Sequence, residues 1–285
     1  MYQTIKNYLE LIKFSHSIFA LPFALISALI AFNGKVDFQK IGLIILAMVF
    51  ARSAAMAFNR YIDRDVDAKN PRTKSRHLPA NILNKYQVLL FIFITCFLFV
   101  FTTYFINALA FFLSVPALLI LFFYSFTKRF TSWSHLFLGM ALAVSPVGAW
   151  VAIRGEIFNV IPLLLFGVVL FWVAGFDILY SLQDFKFDQK NKLFSIPAQF
   201  GVKNAILFSR FFHLIMFGLY CFFVWSLKGP EFLWLSIGLV AIALIYQHSL
   251  VKDKDLSRLD AAFFSANGYL SLSLLVFFVL ALFTF

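Results

Sequence analysis

Nine apolar runs of about 20 residues follow one another along the 285-residue chain, each the length that crosses a hydrocarbon core of about 30 Å as a helix. They extend approximately from Phe14 to Phe32, Ile41 to Phe58, Val88 to Phe105, Leu109 to Phe126, Leu136 to Ile153, Ile161 to Leu179, Ala205 to Trp225, Phe232 to Tyr246 and Ala262 to Phe283. None alternates with the period of a barrel strand. Backbone polar groups have to be satisfied inside lipid, so helices are the expected solution. With 62% apolar and 13% charged residues, the chain stands outside the balance of a water-soluble domain. The expected architecture is an all-α, polytopic membrane helical bundle with about nine transmembrane helices and cytoplasmic cap loops. It is expected to form a single domain over residues 1–285, with no soluble domain on either side.

Pro22, Pro116 and Pro146 fall inside expected spans, where neighbouring helices compensate for the missing donor, and they predict kinks or packing sites. The first span follows Lys6, Glu10 and Lys13 and lacks a small-residue cleavage pattern, so it reads as a retained helix rather than a signal peptide.

Basic residues set the orientation. Eighteen Lys and Arg lie in the amino-terminal tail and the connections after spans 2, 4, 6 and 8, against four (Lys35, Lys40, Arg154 and Lys228) on the other side. By the positive-inside rule the amino terminus is cytoplasmic, in what is expected to be a bacterial cytoplasmic membrane. The net charge of +11 reflects this sidedness and contacts with lipid headgroups; no nucleic acid and no obligate protein partner are implied. Cys96 and Cys221 lie in apolar spans without metal-ligand spacing. His16, His77, His135, His213 and His248 form no paired motif, and no histidine is assigned to a site.

Against this background the acids stand out. Six of the thirteen Asp and Glu fall in two windows, Asp63, Asp65 and Asp67 at the end of span 2, and Asp177, Asp184 and Asp188 at the end of span 6. A carboxylate at a membrane helix centre costs about 2.5 to 3.5 kcal/mol, so such residues are functional candidates. Four crossings separate the clusters, which places both at the cytoplasmic side. Residues four and seven apart share a helix face, so Arg52, Asn59, Asp63 and Asp67 form one stripe. Asp177, Asp184 and Asp188 form a second, with the offsets that relate Arg52, Asn59 and Asp63, a spacing that suggests related halves.

Like charges one turn apart repel, so something positive is expected among them. Either loop Arg and Lys neutralise the acids, or hard divalent cations do. Mg2+ takes oxygen ligands, commonly one or two carboxylates together with substrate phosphates. Lys69, Arg72, Lys74 and Arg76 follow the first cluster, and Lys190 and Lys192 the second, in the manner of phosphate-binding groups.

The stretch Asn59-Arg-Tyr-Ile-Asp63-Arg-Asp65-Val-Asp67, followed by Asn70-Pro-Arg72-Thr-Lys-Ser-Arg76, resembles the first signature of the UbiA-type intramembrane aromatic prenyltransferases. Asp177-Ile-Leu-Tyr180-Ser-Leu-Gln-Asp184-Phe-Lys-Phe-Asp188 resembles the second. The likeness extends to Tyr124-Ser-Phe-Thr-Lys128-Arg-Phe and to Lys13-Phe-Ser-His-Ser-Ile-Phe-Ala-Leu-Pro22, so it covers nearly the whole chain. It implies Mg2+-dependent transfer of a polyprenyl group from polyprenyl diphosphate to an aromatic ring at the cytoplasmic mouth of the bundle. Asn59, Asp63, Asp67, Asp184 and Asp188 would hold the metal. Arg72, Arg76, Tyr124, Lys128 and Lys190 would bind diphosphate, and Arg52, Asp63 and Asp177 would serve the reaction and the acceptor.

The motifs look closest to the 4-hydroxybenzoate polyprenyltransferase-like branch, which includes menaquinone enzymes of the futalosine route. The acceptor is then an aromatic carboxylate, 4-hydroxybenzoate or a dihydroxynaphthoate, in ubiquinone or menaquinone biosynthesis. Arg52 either pairs with that carboxylate or neutralises Asp63 or Asp177. Forty-one Phe supply material for an apolar, cation-shielding cavity, though for any single Phe lipid contact or packing is the simpler reading. The segments Arg60 to Lys85 and Ser181 to Lys203 are expected as partly helical caps. An ion-coupled secondary transporter using the acids as cation sites is the alternative class.

Overall fold

The computed structural model describes residues 2–13, 19–253 and 256–282. Among the described residues the chain is helical throughout: α1 (Tyr2–Leu11), α2 (Leu21–Phe32), α3 (Phe38–Lys69), α4 (Lys85–Tyr104), α5 (Ala108–Thr127), α6 (Ser134–Arg154), α7 (Val160–Ser181), α8 (Phe185–Lys190), α9 (Ile196–Leu227), α10 (Leu235–Ser249) and α11 (Ala266–Leu282). Among the described residues eight helical segments are long and apolar enough to cross a membrane, and α2 is a shorter apolar helix. The protein is an integral membrane helical bundle. The start of the first expected span, with His16 and the middle of the Lys13 to Pro22 stretch, lies outside the described residues, as does Phe283 at the end of the last. Pro22 does not kink a span: it sits in the first turn of α2, where a missing N–H is free of cost.

Two compact units divide the chain, Met1–Ser17 with Gln39–Phe126, and Ile18–Phe38 with Thr127–Phe285. The first contains α1, α3, α4 and α5. Leu11, Ile12, Ala57, Leu78, Leu83, Val88 and Ile92 form one buried cluster there, and Ala47, Ala54, Phe99 and Leu118 another. Phe58 stacks on Phe122 at 4.2 Å between ring centroids, and Tyr8 on Phe91 at 4.9 Å. His77 Nε2 lies 3.5 Å from Glu10 Oε2; burial pushes the imidazole below its ordinary pKa despite the carboxylate. Phe93, Phe97 and Phe101 on α4 and Phe112 and Phe123 on α5 are exposed, as lipid-facing side chains would be.

Helix α3 corrects the expected boundaries most. Its 32 residues make a rod about 48 Å long, well beyond a hydrocarbon core of about 30 Å. Nothing between Phe58 and Lys69 breaks a helix, so Arg60 to Lys69, expected in a cap, simply continue the span. The helix stops at Asn70-Pro71, since a residue before proline is pushed away from helical angles. Asn70 Oδ1 accepts from Arg72 N at 2.9 Å, and Thr73 Oγ1 donates to the Asp67 carbonyl at 3.1 Å, satisfying the end. After a run of turns, α4 begins with a capping box, in which Tyr86 N donates to Asn84 Oδ1 and Asn84 N to Gln87 Oε1.

The second unit is organised around α7, which packs against α6 and α9 and buries Leu165, Val168, Val169, Trp172 and Val173. Ser27 Oγ donates to the Pro146 carbonyl at 2.6 Å, tying α2 to the proline-containing α6. Helices α6 and α7 approach so closely that a Cβ at Gly139 would collide with the Leu170 carbonyl. Gly139→Ala is therefore expected to destabilise the protein by about 1 to 3 kcal/mol, because the obstacle is backbone. An unchanged thermal midpoint in detergent would contradict this packing. Helix α9 is broken at Gly201, whose φ of 81° and ψ of 165° suit glycine alone.

Candidate active site

Asn59, Asp63 and Asp67 fall one turn apart on α3, as their spacing predicts. Both carboxylates are buried, with 3% and 4% of their residues exposed. Asn59 Nδ2 donates to Asp63 Oδ2 at 3.3 Å and to Ser125 Oγ, on α5, at 3.5 Å. Asp67 receives Arg76 Nη1 on both oxygens, at 2.7 and 2.8 Å. Neutralisation by loop arginine and a phosphate-binding role were rival readings of this basic run. The structure gives the first to Arg76 at Asp67. Asp65 points elsewhere, exposed and 3.6 Å from Arg64.

Arg52 lies two turns before Asn59 on the same stripe. Its Nε is buried without a hydrogen-bond partner. Arg72 is exposed on the turn that its backbone N–H makes with Asn70. Tyr124 is half-buried near the end of α5.

In the second unit the expected stripe is interrupted. Asp177 is on α7, but Leu182–Asp184 form a 3-10 turn, and Asp188 belongs to the separate helix α8. A 3-10 turn advances with 3.0 residues per turn rather than 3.6, so these three residues add about 60° to the rotation that an unbroken helix would give. The matching offsets of the two clusters therefore do not mean matching geometry. Ser181 to Lys203, expected as a partly helical cap, holds a 3-10 turn, the short α8 and the beginning of α9. Ser195 Oγ, the N-cap of α9, donates to Asp188 Oδ2 at 3.1 Å. The Lys128 carbonyl accepts from Phe194 N at 2.9 Å, fixing the chain beside that cap. Lys190 is exposed at the end of α8.

Two histidine arrangements escaped the sequence reading. His135 Nδ1 lies 2.7 Å from Asp177 Oδ2, and Ile196 N donates to His135 Nε2 at 3.4 Å. His213 Nδ1 meets His248 Nε2 at 2.8 Å, with Nε2 of His213 donating to the Trp172 carbonyl at 3.2 Å. Partners 42 and 35 residues apart leave no local signal in the sequence. An aromatic cluster lies in the same unit: Tyr180 stacks on Phe263 at 4.2 Å, and Phe176 meets Phe263 edge-on at 5.3 Å.

Among the described residues no group of three or more His, Cys, Asp or Glu gathers as a metal site. Both acid clusters nevertheless fit Mg2+ chemically. Their donors are carboxylate and amide oxygens, and Mg2+ commonly takes only one or two protein carboxylates, the rest of its shell coming from water and phosphate.

A sequence model of the UbiA prenyltransferase family matches residues 20–284. The 4-hydroxybenzoate octaprenyltransferase of Vibrio atlanticus (strain LGP32) is 30% identical over 262 residues, 88% of this chain and 87% of its own. That of Tolumonas auensis (strain DSM 9187 / NBRC 110442 / TA 4) is 32% identical over 226 residues, 79% and 78%. The apo structure of a UbiA homolog from Aeropyrum pernix K1 superposes with a TM-score of 0.83 at 29% identity, covering 95% of this chain and 98% of that one. A UbiA homolog from Archaeoglobus fulgidus, solved bound to DMAPP and Mg2+, shares the fold at a TM-score of 0.76 and 20% identity, over 98% and 100% of the two chains. A match over nearly the whole length, on a membrane bundle carrying both aspartate signatures, makes this chain an enzyme and a member of the UbiA prenyltransferase family.

Proposed function

We propose that the protein transfers a polyprenyl group from polyprenyl diphosphate to an aromatic carboxylate, 4-hydroxybenzoate or a dihydroxynaphthoate, in quinone biosynthesis. The observation that carries this reading is the buried Asn59–Asp63–Asp67 ladder at the polar end of α3, in a chain whose curated relatives are 4-hydroxybenzoate octaprenyltransferases. The transporter alternative is set aside, because the family is one of enzymes. In this reading the whole chain acts as one catalytic domain, with its amino terminus and its active site on the cytoplasmic side of a bacterial inner membrane.

Asn59, Asp63, Asp67, Asp184 and Asp188 would hold Mg2+, which when bound stabilises the negative charge that accumulates on the departing diphosphate. Arg72, Arg76, Tyr124, Lys128 and Lys190 would hold phosphate oxygens. Arg76 then exchanges one anionic partner, the Asp67 carboxylate, for another. Cleavage of the allylic carbon–oxygen bond leaves a carbocation that a ring carbon of the acceptor attacks. The rings of Phe176, Tyr180 and Phe263 suit a lining that excludes water and faces that cation.

The test is turnover of purified protein with Mg2+, prenyl diphosphates of several lengths, and both acceptors. Diphosphate released together with a prenylated ring is expected; no prenylated product across the panel would overturn the reading. Arg52 is assigned to the acceptor carboxylate, because its Nε is buried and unpaired. A hydrogen bond to a charged group contributes about 1.5 to 3 kcal/mol, so Arg52→Ala should raise the KM for a carboxylate acceptor about tenfold or more. Use of a carboxylate-free phenol should change little. Equal loss with both acceptors would remove this assignment.

A further inference from the structure

Helix α6 begins with Ser134 and His135, and the buried His135 ring reaches Asp177 on α7 with one nitrogen and the start of α9 with the other. A backbone N–H can only donate. The bond from Ile196 N therefore makes Nε2 an acceptor, the proton of the neutral ring sits on Nδ1, and Nδ1–H donates to Asp177 Oδ2. Rotating the ring would turn carbon atoms toward both partners, so packing and hydrogen bonding select one tautomer and one orientation.

We propose that His135 is the positioning residue that presents Asp177 as the proton acceptor of prenyl transfer. The inference rests on the proposed reaction and adds a group that the sequence motifs did not supply. His135 occupies Oδ2, so the carboxylate has one oxygen, Oδ1, outside that bond, and the Asp177 side chain keeps 17% of its surface accessible. During transfer the allylic carbon–oxygen bond breaks, and its electron pair leaves with the diphosphate. A π pair of the acceptor ring forms the new carbon–carbon bond. The ring C–H bond then breaks, its electrons restore aromaticity, and the proton passes to Oδ1 of Asp177. His135 relays no proton in this sequence and keeps its own on Nδ1; it fixes which oxygen is available and where it points.

The same turn of chain also serves the acid proposed to hold metal. Ser195 donates to Asp188, and the next residue, Ile196, donates to His135. The distance from proton acceptor to Asp188 is thus set through adjoining residues at the start of α9, at the scale on which a misplacement of 1 Å can cost about a hundredfold in rate.

The experiment compares His135→Phe, which fills the volume without a donor, with His135→Asn, whose amide nitrogen takes the place of Nδ1. His135→Phe is expected to lower kcat about a hundredfold while the KM for prenyl diphosphate stays within about twofold, and His135→Asn to recover most of the loss. In an Asp177→Asn background His135→Phe should cost little more. Elution of each variant as a monodisperse peak in detergent establishes that it folds. The inference falls if His135→Phe keeps its kcat, if the Asn variant is no better than Phe, or if the penalty persists without the Asp177 carboxylate. A wild-type protein that makes no prenylated product would instead overturn the reaction on which it rests.

Discussion

Asp63→Asn should lower prenyl transfer by about a hundredfold to a thousandfold, the range for removing one preorganised charge-stabilising group. The substitution keeps shape and burial. The Asn59 amide, 3.3 Å from Asp63 Oδ2, still has an oxygen to meet, so the fold is expected to survive. What disappears is the negative charge one turn from Asp67, and with it a proposed ligand for Mg2+. Turnover should also need more Mg2+ to reach its plateau. Asp184→Asn, in the other unit, should behave alike if both clusters serve one diphosphate. Product formation measured across a Mg2+ titration checks both variants, with chromatography in detergent confirming that they fold. Near-wild-type rates would show that the α3 ladder is not catalytic.

Arg76→Ala is expected to act on stability as well as on rate. It removes both contacts to the Asp67 carboxylate, whose side chain is only 6% exposed. Leaving a buried charge unpaired costs about 3 kcal/mol or more, so the thermal midpoint in detergent should fall by several degrees. Adding Asp67→Asn should return most of the stability, because the orphaned charge is gone. It should not return activity, because a proposed metal ligand and a proposed phosphate contact have both been lost. A midpoint unmoved by Arg76→Ala would mean that solvent already compensates Asp67 and that the clamp contributes nothing to the fold.

The membrane class and eight of the spans were readable because hydrophobic length is a property of composition alone. The Arg52–Asn59–Asp63–Asp67 stripe was readable for a related reason: α3 is regular, and regular helices obey their period. The second cluster was legible only in part, since the 3-10 turn at Leu182–Asp184 shifts the angle that spacing implies. The end of α3 was misplaced because hydropathy drops at Asn59 while no Gly or Pro follows until Pro71, and Pro71, rather than polarity, ends the helix. The Asp67–Arg76 clamp appeared only as one of two options. His135 was invisible, because its meaning comes from partners 42 and 61 residues away.

An unbroken α3 has a consequence for tolerated sequence change. One residue inserted between Arg52 and Asn59 would swing every later side chain by about 100° and push it 1.5 Å along the axis, carrying both carboxylates off their bearing. No hinge stands in between to absorb the slip. A flexible connection would have forgiven such an indel; a stiff spar built through the bilayer makes the register of its greasy half and its acidic tip a single inherited quantity.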